Sequence, residues 1–512
     1  MNNCIASSGN SRGECQNIIL EFCISAFSIL LIFPLVSSLA NFSDSQKITI
    51  LCWMTIILFV DSIVFLWRTT KRLFSSYTLL SVSFFLYQFG ADVANVFWPN
   101  EETFINNIYY VKMSGGNAGV FNSILISSVF YFFFTLGQLS YFYHPFHYRI
   151  PRKIKESKMF VFENTQKVIF VSSLVLFFVS FPLGFYKALY QFLYVKKYGY
   201  LSLVNNKIFY NLAGNFEVFI VPTLLLICLF GKKTWVKVIC FILSLSYLLL
   251  TAGSGSRTTI VSFACIVLVF CFRYLSKAKL KTKLWFIPTM LVVLYFGVCF
   301  IAAYAKYRNS ADQSLSGFVS FFFSFSLSQD PLAKVVSEFG FNASSLPFSI
   351  ELIGSKYYFG KSYFCALFGL IPSSLDFTGF FTKLANYSAT DTALLQATAT
   401  YLNFGPGTSM IAEAFLNFRW LGIFPMFIFG YWFTSLSCFD FCDKTNRFEF
   451  YIQAVMSGTI FIMPRRPFLY LVKGGLYSCL LIFVYLFFCF VLTFFIKRFI
   501  DRRRRSSLSD GN

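Results

Sequence analysis

Charge is scarce in this chain. Only 13% of its 512 residues are Asp, Glu, Lys or Arg, against about a quarter in an ordinary soluble domain, which excludes a water-facing globular surface for most of the molecule. Acidic residues are the scarcer kind, 22 against 43 basic ones, for a formal charge of +21. Histidine is almost missing: its two copies, His144 and His147, share the single segment "YHPFHYRIPRK". The 14 cysteines include no CxxC pair, and Cys438 and Cys442 stand four apart without further ligands around them. Neither a zinc site nor a dithiol redox site is indicated, and no metal or other cofactor is expected. HExxH, GxSxG, Walker and GxGxxG patterns in their proper contexts are missing too, so zincins, serine hydrolases and nucleotide enzymes find no support.

What the chain has in abundance is apolar sequence, 57% of residues with 21% aromatic and a mean hydropathy of +0.65. Stretches of roughly 17 to 25 apolar residues recur, each long enough at about 1.5 Å per residue to cross a hydrocarbon core of about 30 Å. The fold class expected is therefore all-α, a polytopic membrane protein with about 12 spans. Hydropathy places them at Ile18 to Ala40, Ile48 to Trp67, Phe74 to Phe97, Val120 to Tyr141, Val168 to Tyr186, Ala213 to Phe230, Val236 to Ala252, Thr259 to Tyr274, Leu284 to Ala305, Ile411 to Cys438, Phe448 to Met463 and Leu471 to Ile496. The first ends in "SSLA", which imitates a signal-peptide cleavage site. Its apolar region is too long and its leader lacks basic character, so a retained helix is expected. A single membrane domain over residues 1–512 is the economical organisation.

The basic residues cluster in short segments between spans: "RTTKR" (68–72), "YRIPRKIKESK" (148–158), "GKKTWVK" (231–237), "RYLSKAKLKTK" (273–283) and the tail "KRFIDRRRR" (497–505). If the helices alternate, all five fall on one side, which the positive-inside rule makes the cytoplasm, with both termini there. The net positive charge then reads as topology signal, not as a nucleic-acid surface, and the basic cytoplasmic tail 497–512 as an anchor beside anionic lipid. The opposite side receives one large loop, residues 306–410, with six basic and six acidic residues. Its runs "GFVSFFFSFSL" (317–327) and "YFCALFGLIPSSL" (363–375) are too apolar for a solvated loop. Short helices on or in the outer leaflet are expected there.

Several arginines near span ends run against the positive-inside bias. Arg257 stands in the small-residue turn "TAGSGSRTTI", Arg465 and Arg466 in "MPRRPFLY", and Arg419 in "AEAFLNFRWLG"; on this topology all lie toward the outer side. A guanidinium keeps its charge and offers a planar fork of donors suited to phosphate oxygens, so an outer-interface phosphate is a candidate partner. The competing reading for each is an arginine snorkelling to headgroups or pairing with a helix carboxylate such as Glu413 or Glu217. Glu413, after "GPGTSMIA", falls in the first turns of a helix, where the helix dipole favours a negative charge; it is either a capping or salt-bridging group or a catalytic carboxylate. Asp61 and Asp92, in early spans, read as polar contacts between helices.

About twelve spans, the "GSGSRTTI" turn (253–260), the outer "KKYGYLSL" segment (196–203), one large outer loop and the closing "GPGTSMIAEAFLNFRWLGIFPMFIFGYW" (405–432) together resemble the O-antigen polymerases, the Wzy-type repeat-unit polymerases of Gram-negative bacteria. The recurring elements are the turn ending in Arg257 and the pattern Ser409, Ala412, Glu413, Asn417. The chain departs from the pattern after the Asn-Phe pair, where a glycine is expected and Arg419 stands. The resemblance implies an inner-membrane enzyme joining undecaprenyl-pyrophosphate-linked oligosaccharides at the periplasmic face by metal-independent glycosyl transfer. Arg257 and Glu413 would be catalytic, and Arg257, Arg465, Arg466 and Arg419 would bind the diphosphate. A chain-length regulator is a further partner such an enzyme could have. Two rivals remain: a lipid-linked oligosaccharide flippase or other transporter, whose basic residues would line a midplane cavity, and an O-antigen ligase, for which an outer-face histidine is expected and none exists.

Overall fold

A peptide group in hydrocarbon must be hydrogen-bonded within its own segment, which leaves helices as the default for a chain of long apolar runs. In the computed structural model every regular element among the described residues is a helix. The structure describes residues 11–39, 41–70, 76–143, 163–198, 216–253, most of 261–269, scattered positions in 288–303, then 315–327, 331–353, 358–371, 376–385, 408–437 and 447–509.

Eight of the described helical segments are long and apolar enough to cross a membrane: Gln16–Ser38, Asp44–Thr70, Tyr77–Phe97, Gly116–Tyr143, Gln166–Val195, Thr234–Thr251, Met410–Leu436 and Phe468–Ile496. Each matches an expected span. Two more expected spans are shorter helices, Glu217–Phe230 and Arg447–Ile460. Of the remaining two, Thr259 to Tyr274 is about half described and Leu284 to Ala305 mostly outside the described residues, so the fold class stands while the count of twelve is not reached within them.

The chain divides into two compact units. The first comprises residues 1–149, 261–444 and 456–473. Its helices are α1 (Ser11–Leu39), α2 (Asp44–Thr70), α3 (Ser76–Phe97), the short α4 (Ile108–Met113) and α5 (Gly116–Tyr143), then α6 (Leu315–Ser326), α7 (Pro331–Gly340), α8 (Ser345–Ile353), α9 (Lys361–Leu367), α10 (Met410–Phe418) and α11 (Ile423–Ser437). The short helices expected in the large loop are thus present as α6 to α9. Phenylalanines fill the interior: Phe84 stacks on Phe134 at 4.5 Å and meets Tyr131 at 5.3 Å, and Phe22 meets Phe65 and Phe132 at 5.4 and 5.5 Å. A polar contact joins neighbouring helices where the sequence placed Asp61: Ser25 donates to Asp61 at 3.0 Å. Asp92 is buried.

Two helix crossings in this unit depend on glycine. α5 meets α11 where a Cβ on Gly137 would lie 2.1 Å from the Phe427 carbonyl oxygen and one on Gly430 would lie 1.9 Å from that of Phe134. α3 meets α7 in the same manner, a Cβ on Gly340 falling 1.9 Å from the amide nitrogen of Ala91. In hydrocarbon, where lipid is as apolar as leucine, such close backbone packing is a main source of helix association.

The second unit comprises residues 150–260, 445–455 and 474–512. α12 (Glu163–Tyr198) packs against α13 (Glu217–Phe230) and α14 (Thr234–Gly253). Lys187 pairs with Glu217 at 2.8 Å, and the Tyr247 hydroxyl reaches the other oxygen of Glu217 at 3.5 Å. Large apolar side chains point outward along the spans in helical spacing, as at Leu20, Ile24, Phe27, Leu31 and Leu35 of α1. Such a surface suits lipid and not water.

Candidate functional site

The helix α10 begins where its sequence says it should. Ser409 is extended (φ −98°, ψ 150°), and its hydroxyl accepts the Ala412 N–H at 3.0 Å, the serine N-cap that satisfies one of the donors left open at a helix start. The Ser409 N–H is used as well, donating to the Ser345 hydroxyl at 3.1 Å. With the cap supplied by Ser409, the Glu413 carboxylate is available for other contacts.

Those contacts reach across the fold. Glu413 is wholly buried. Its Oε1 accepts from the Ser362 hydroxyl of α9 at 2.7 Å, and its Oε2 accepts the backbone N–H of Phe468 at 2.7 Å. Asn417, four residues on and so on the same helix face, donates through Nδ2 to Ser362 Oγ and to the Glu413 carbonyl, both at 2.7 Å, and accepts the Ser362 N–H at 3.3 Å. Glu413, Ser362 and Asn417 form one closed network, in which charge-assisted bonds are the stronger kind. Among the described residues neither Glu413 nor Glu217 pairs with Arg419, Arg465 or Arg466.

Phe468 opens the last membrane span, and the segment before it carries Arg465 and Arg466. Residues Met463–Arg465 form a 3-10 turn, with the Arg465 N–H donating to Ile462 O and the Arg466 N–H to Met463 O at 3.0 and 2.9 Å. Arg466 is then extended (φ −134°, ψ 151°), as a residue before proline must be. Two anchors hold this turn. On one side α3 grips it: Gln88 donates to the Pro464 carbonyl at 2.6 Å and Ser83 to that of Phe461. On the other, Glu413 holds the Phe468 N–H. The paired arginines therefore sit between two fixed points, with the Arg466 guanidinium 5.2 Å from the Tyr470 ring centre.

Arg419 lies elsewhere in the same span as Glu413. It ends α10 at φ +51°, ψ −132°, and its guanidinium lies 5.3 Å from the ring centre of Phe415. That backbone geometry is one glycine adopts freely and other residues rarely, which explains why a glycine is expected after the Asn-Phe pair. Arg257 and its small-residue turn lie outside the described residues, as do both histidines and the Cys438 and Cys442 pair.

Ser362, Gln88, Ser83 and Tyr363 were not singled out by sequence. Tyr363 stacks on Phe418 at 5.9 Å and meets the rings of Phe429 and Phe468 edge-on, walling the network with aromatics. Burial, and then the Glu413 carboxylate, push its hydroxyl well above the usual phenol range, so it stays neutral. The one signal for Ser362 was a polar residue at the head of an otherwise apolar helix.

A family model described as O-antigen polysaccharide polymerase Wzy matches residues 22–498. The chain belongs to this family. No similar curated protein and no similar solved structure was found. Membership makes this Wzy-family chain a multi-pass inner-membrane protein with a broad role in polymerising O-antigen from lipid-linked oligosaccharide. Within it, the Ser409, Ala412, Glu413, Asn417 pattern is a cap, a packed helix turn and two members of a buried hydrogen-bond network.

Proposed function

We propose that this chain polymerises undecaprenyl-pyrophosphate-linked oligosaccharide repeat units at the periplasmic face of the inner membrane, by metal-independent glycosyl transfer. An acceptor hydroxyl oxygen forms the new bond to the anomeric carbon of the growing chain. The bond from that carbon to the lipid diphosphate breaks, the diphosphate leaves with the electron pair, and the hydroxyl proton passes to water. Negative charge builds on the departing oxygen, so donors fixed beforehand around it lower the barrier.

The observation that carries this reading is the double anchoring of the Arg465 and Arg466 turn by Gln88 and Glu413. Two guanidinium forks held in one short turn suit a diphosphate. The turn directly precedes the Phe468–Ile496 span, a span-end position that fits a carrier headgroup better than the midplane cavity of a transporter. Arg257 and Arg419 are the other proposed diphosphate ligands. Glu413, buried with both oxygens engaged, contributes as a positioning residue for the arginine turn.

Deletion of the gene in its parent bacterium, followed by gel separation of the lipopolysaccharide, tests the reading. A ladder collapsing to core plus one repeat unit is the expected result. Loss of every O-unit band would instead indicate a flippase or ligase.

A further inference from the structure

The helix α9 belongs to the large loop, yet it packs at the level of two membrane spans. The residues leading into it lean on the first: the Tyr358 N–H donates to the Leu416 carbonyl at 3.3 Å, and a Cβ on Gly360, which stands at φ +76°, would lie 2.9 Å from the Phe418 ring. Leu416 and Phe418 lie about two turns inside the Met410–Leu436 span, roughly 10 Å along it. The far end of α9 leans on the second. Ala366 and, further along the chain, Ala385 share an apolar cluster with Leu469 and Val472, in the first turns of the Phe468–Ile496 span.

The other face of this layer is apolar and open. Ser362, Cys365 and Ala366 are the buried side of α9, while Phe364 and Leu367, three residues apart and so on one face, are exposed. Phe377 is 93% exposed in the turn that follows, and Phe380 is exposed as well. The surface continues onto the span that α9 leans on, where Trp420, Leu421 and Phe424 are exposed. On a membrane span such side chains face lipid. The turn also serves its own backbone donors: Asp376, itself buried, accepts the Thr382 N–H through Oδ2 at 2.6 Å and the Gly379 N–H through its carbonyl at 3.0 Å, and the Thr378 hydroxyl accepts the Phe380 N–H at 3.3 Å. A segment beside hydrocarbon requires this, and a solvated loop does not.

We infer that α9 and residues 376–385 form a monotopic membrane element, with Phe364, Leu367, Phe377 and Phe380 set among the acyl chains of the leaflet on the loop's side, expected to be the outer one. Continuity with the lipid-facing surface of the Met410–Leu436 span selects bilayer lipid as the occupant of this face. Lys361 and Lys383, both exposed, carry long stems of the kind that reach headgroup phosphates. Because α9 also carries Ser362, the Glu413 network is tied to the membrane surface through it.

The test uses the full-length protein in vesicles of phosphatidylethanolamine and phosphatidylglycerol doped with a phospholipid whose acyl chain bears a photoactivatable diazirine, the labelled peptides being mapped by mass spectrometry. In the wild-type protein, label on residues 358–371 and 376–385 is expected at a level comparable to that around Phe424. Phe364→Asp combined with Phe377→Asp changes two exposed side chains outside the core, so melting temperature is expected to hold. Label on the segment is expected to fall about fivefold or more in this variant, since a carboxylate is costly in hydrocarbon, while label around Phe424 stays. A wild-type segment without label beside a labelled Phe424 would overturn the inference and leave water or a second copy as the cover. Unchanged label in the folded double variant would also overturn it, by showing that these side chains do not hold the segment in lipid. Should the double variant not fold, the wild-type labelling alone decides.

Discussion

The Glu413 carboxylate and the Phe468 amide, 55 residues apart in sequence, are joined by a hydrogen bond of 2.7 Å. It ties the first turn of α10 to the first residue of the last span, two positions beyond Arg466. The bond couples Glu413 to the arginine turn, and the positioning role proposed for Glu413 follows from that coupling, while the sequence expects a catalytic carboxylate there.

Glutamine at 413 tests that distinction. Its oxygen can still accept from Phe468, and its amide can donate to Ser362 Oγ, so Glu413→Gln is expected to fold and to keep polymerisation within about tenfold of wild type. Glu413→Ala orphans two donors at about 1–3 kcal/mol each and should give unstable protein and no ladder. Melting temperature together with ladder length separates the cases; a stable glutamine variant that makes no polymer would show that the charge itself takes part in the reaction.

Ser362→Ala removes the hydroxyl that both serves Glu413 and receives Asn417. The expected loss is about 2 kcal/mol of stability, read by thermal or denaturant unfolding in detergent. No change would mean that the network does not hold in solution.

Replacing Arg465 and Arg466 by lysine keeps the charge and loses the fork. Polymerisation is expected to fall about a hundredfold, with insertion unchanged, in line with the loss of a preorganised oxyanion donor. Arg257→Lys is expected to behave likewise, and wild-type ladders from the lysine variants would reduce these arginines to general positive charge.

Arg419→Gly relieves a backbone conformation unfavourable to side chains, which costs about 1–3 kcal/mol. The variant should melt higher. If it also makes full ladders, Arg419 is not a diphosphate ligand; a loss of polymer at raised stability would make it one.

The spans were legible because hydrocarbon thickness sets their length: the expected Ile48 to Trp67 and Val120 to Tyr141 reappear, a few residues longer, as Asp44–Thr70 and Gly116–Tyr143. The cap at Ser409 and the i,i+4 pair of Glu413 and Asn417 were equally local. Their partners were not, since Ser362 and Phe468 lie 51 and 55 residues away and only the fold brings them in. The crossing at Gly137 and Gly430 was hidden for a related reason: a glycine within an apolar run looks the same whether it faces lipid or another backbone. The bend at Arg419 was foreshadowed only by the missing glycine.

Metal-independent polymerisation on a lipid diphosphate can be observed with purified protein in vesicles supplied with lipid-linked repeat units and EDTA. The measurement is glycosidic bonds formed against free undecaprenyl diphosphate released. Polymer and one diphosphate released per new bond are expected, both abolished when Arg465 and Arg466 are replaced by alanine. Movement of repeat units across the vesicle membrane without bond formation, or polymer formed only after a divalent metal is restored, would contradict it.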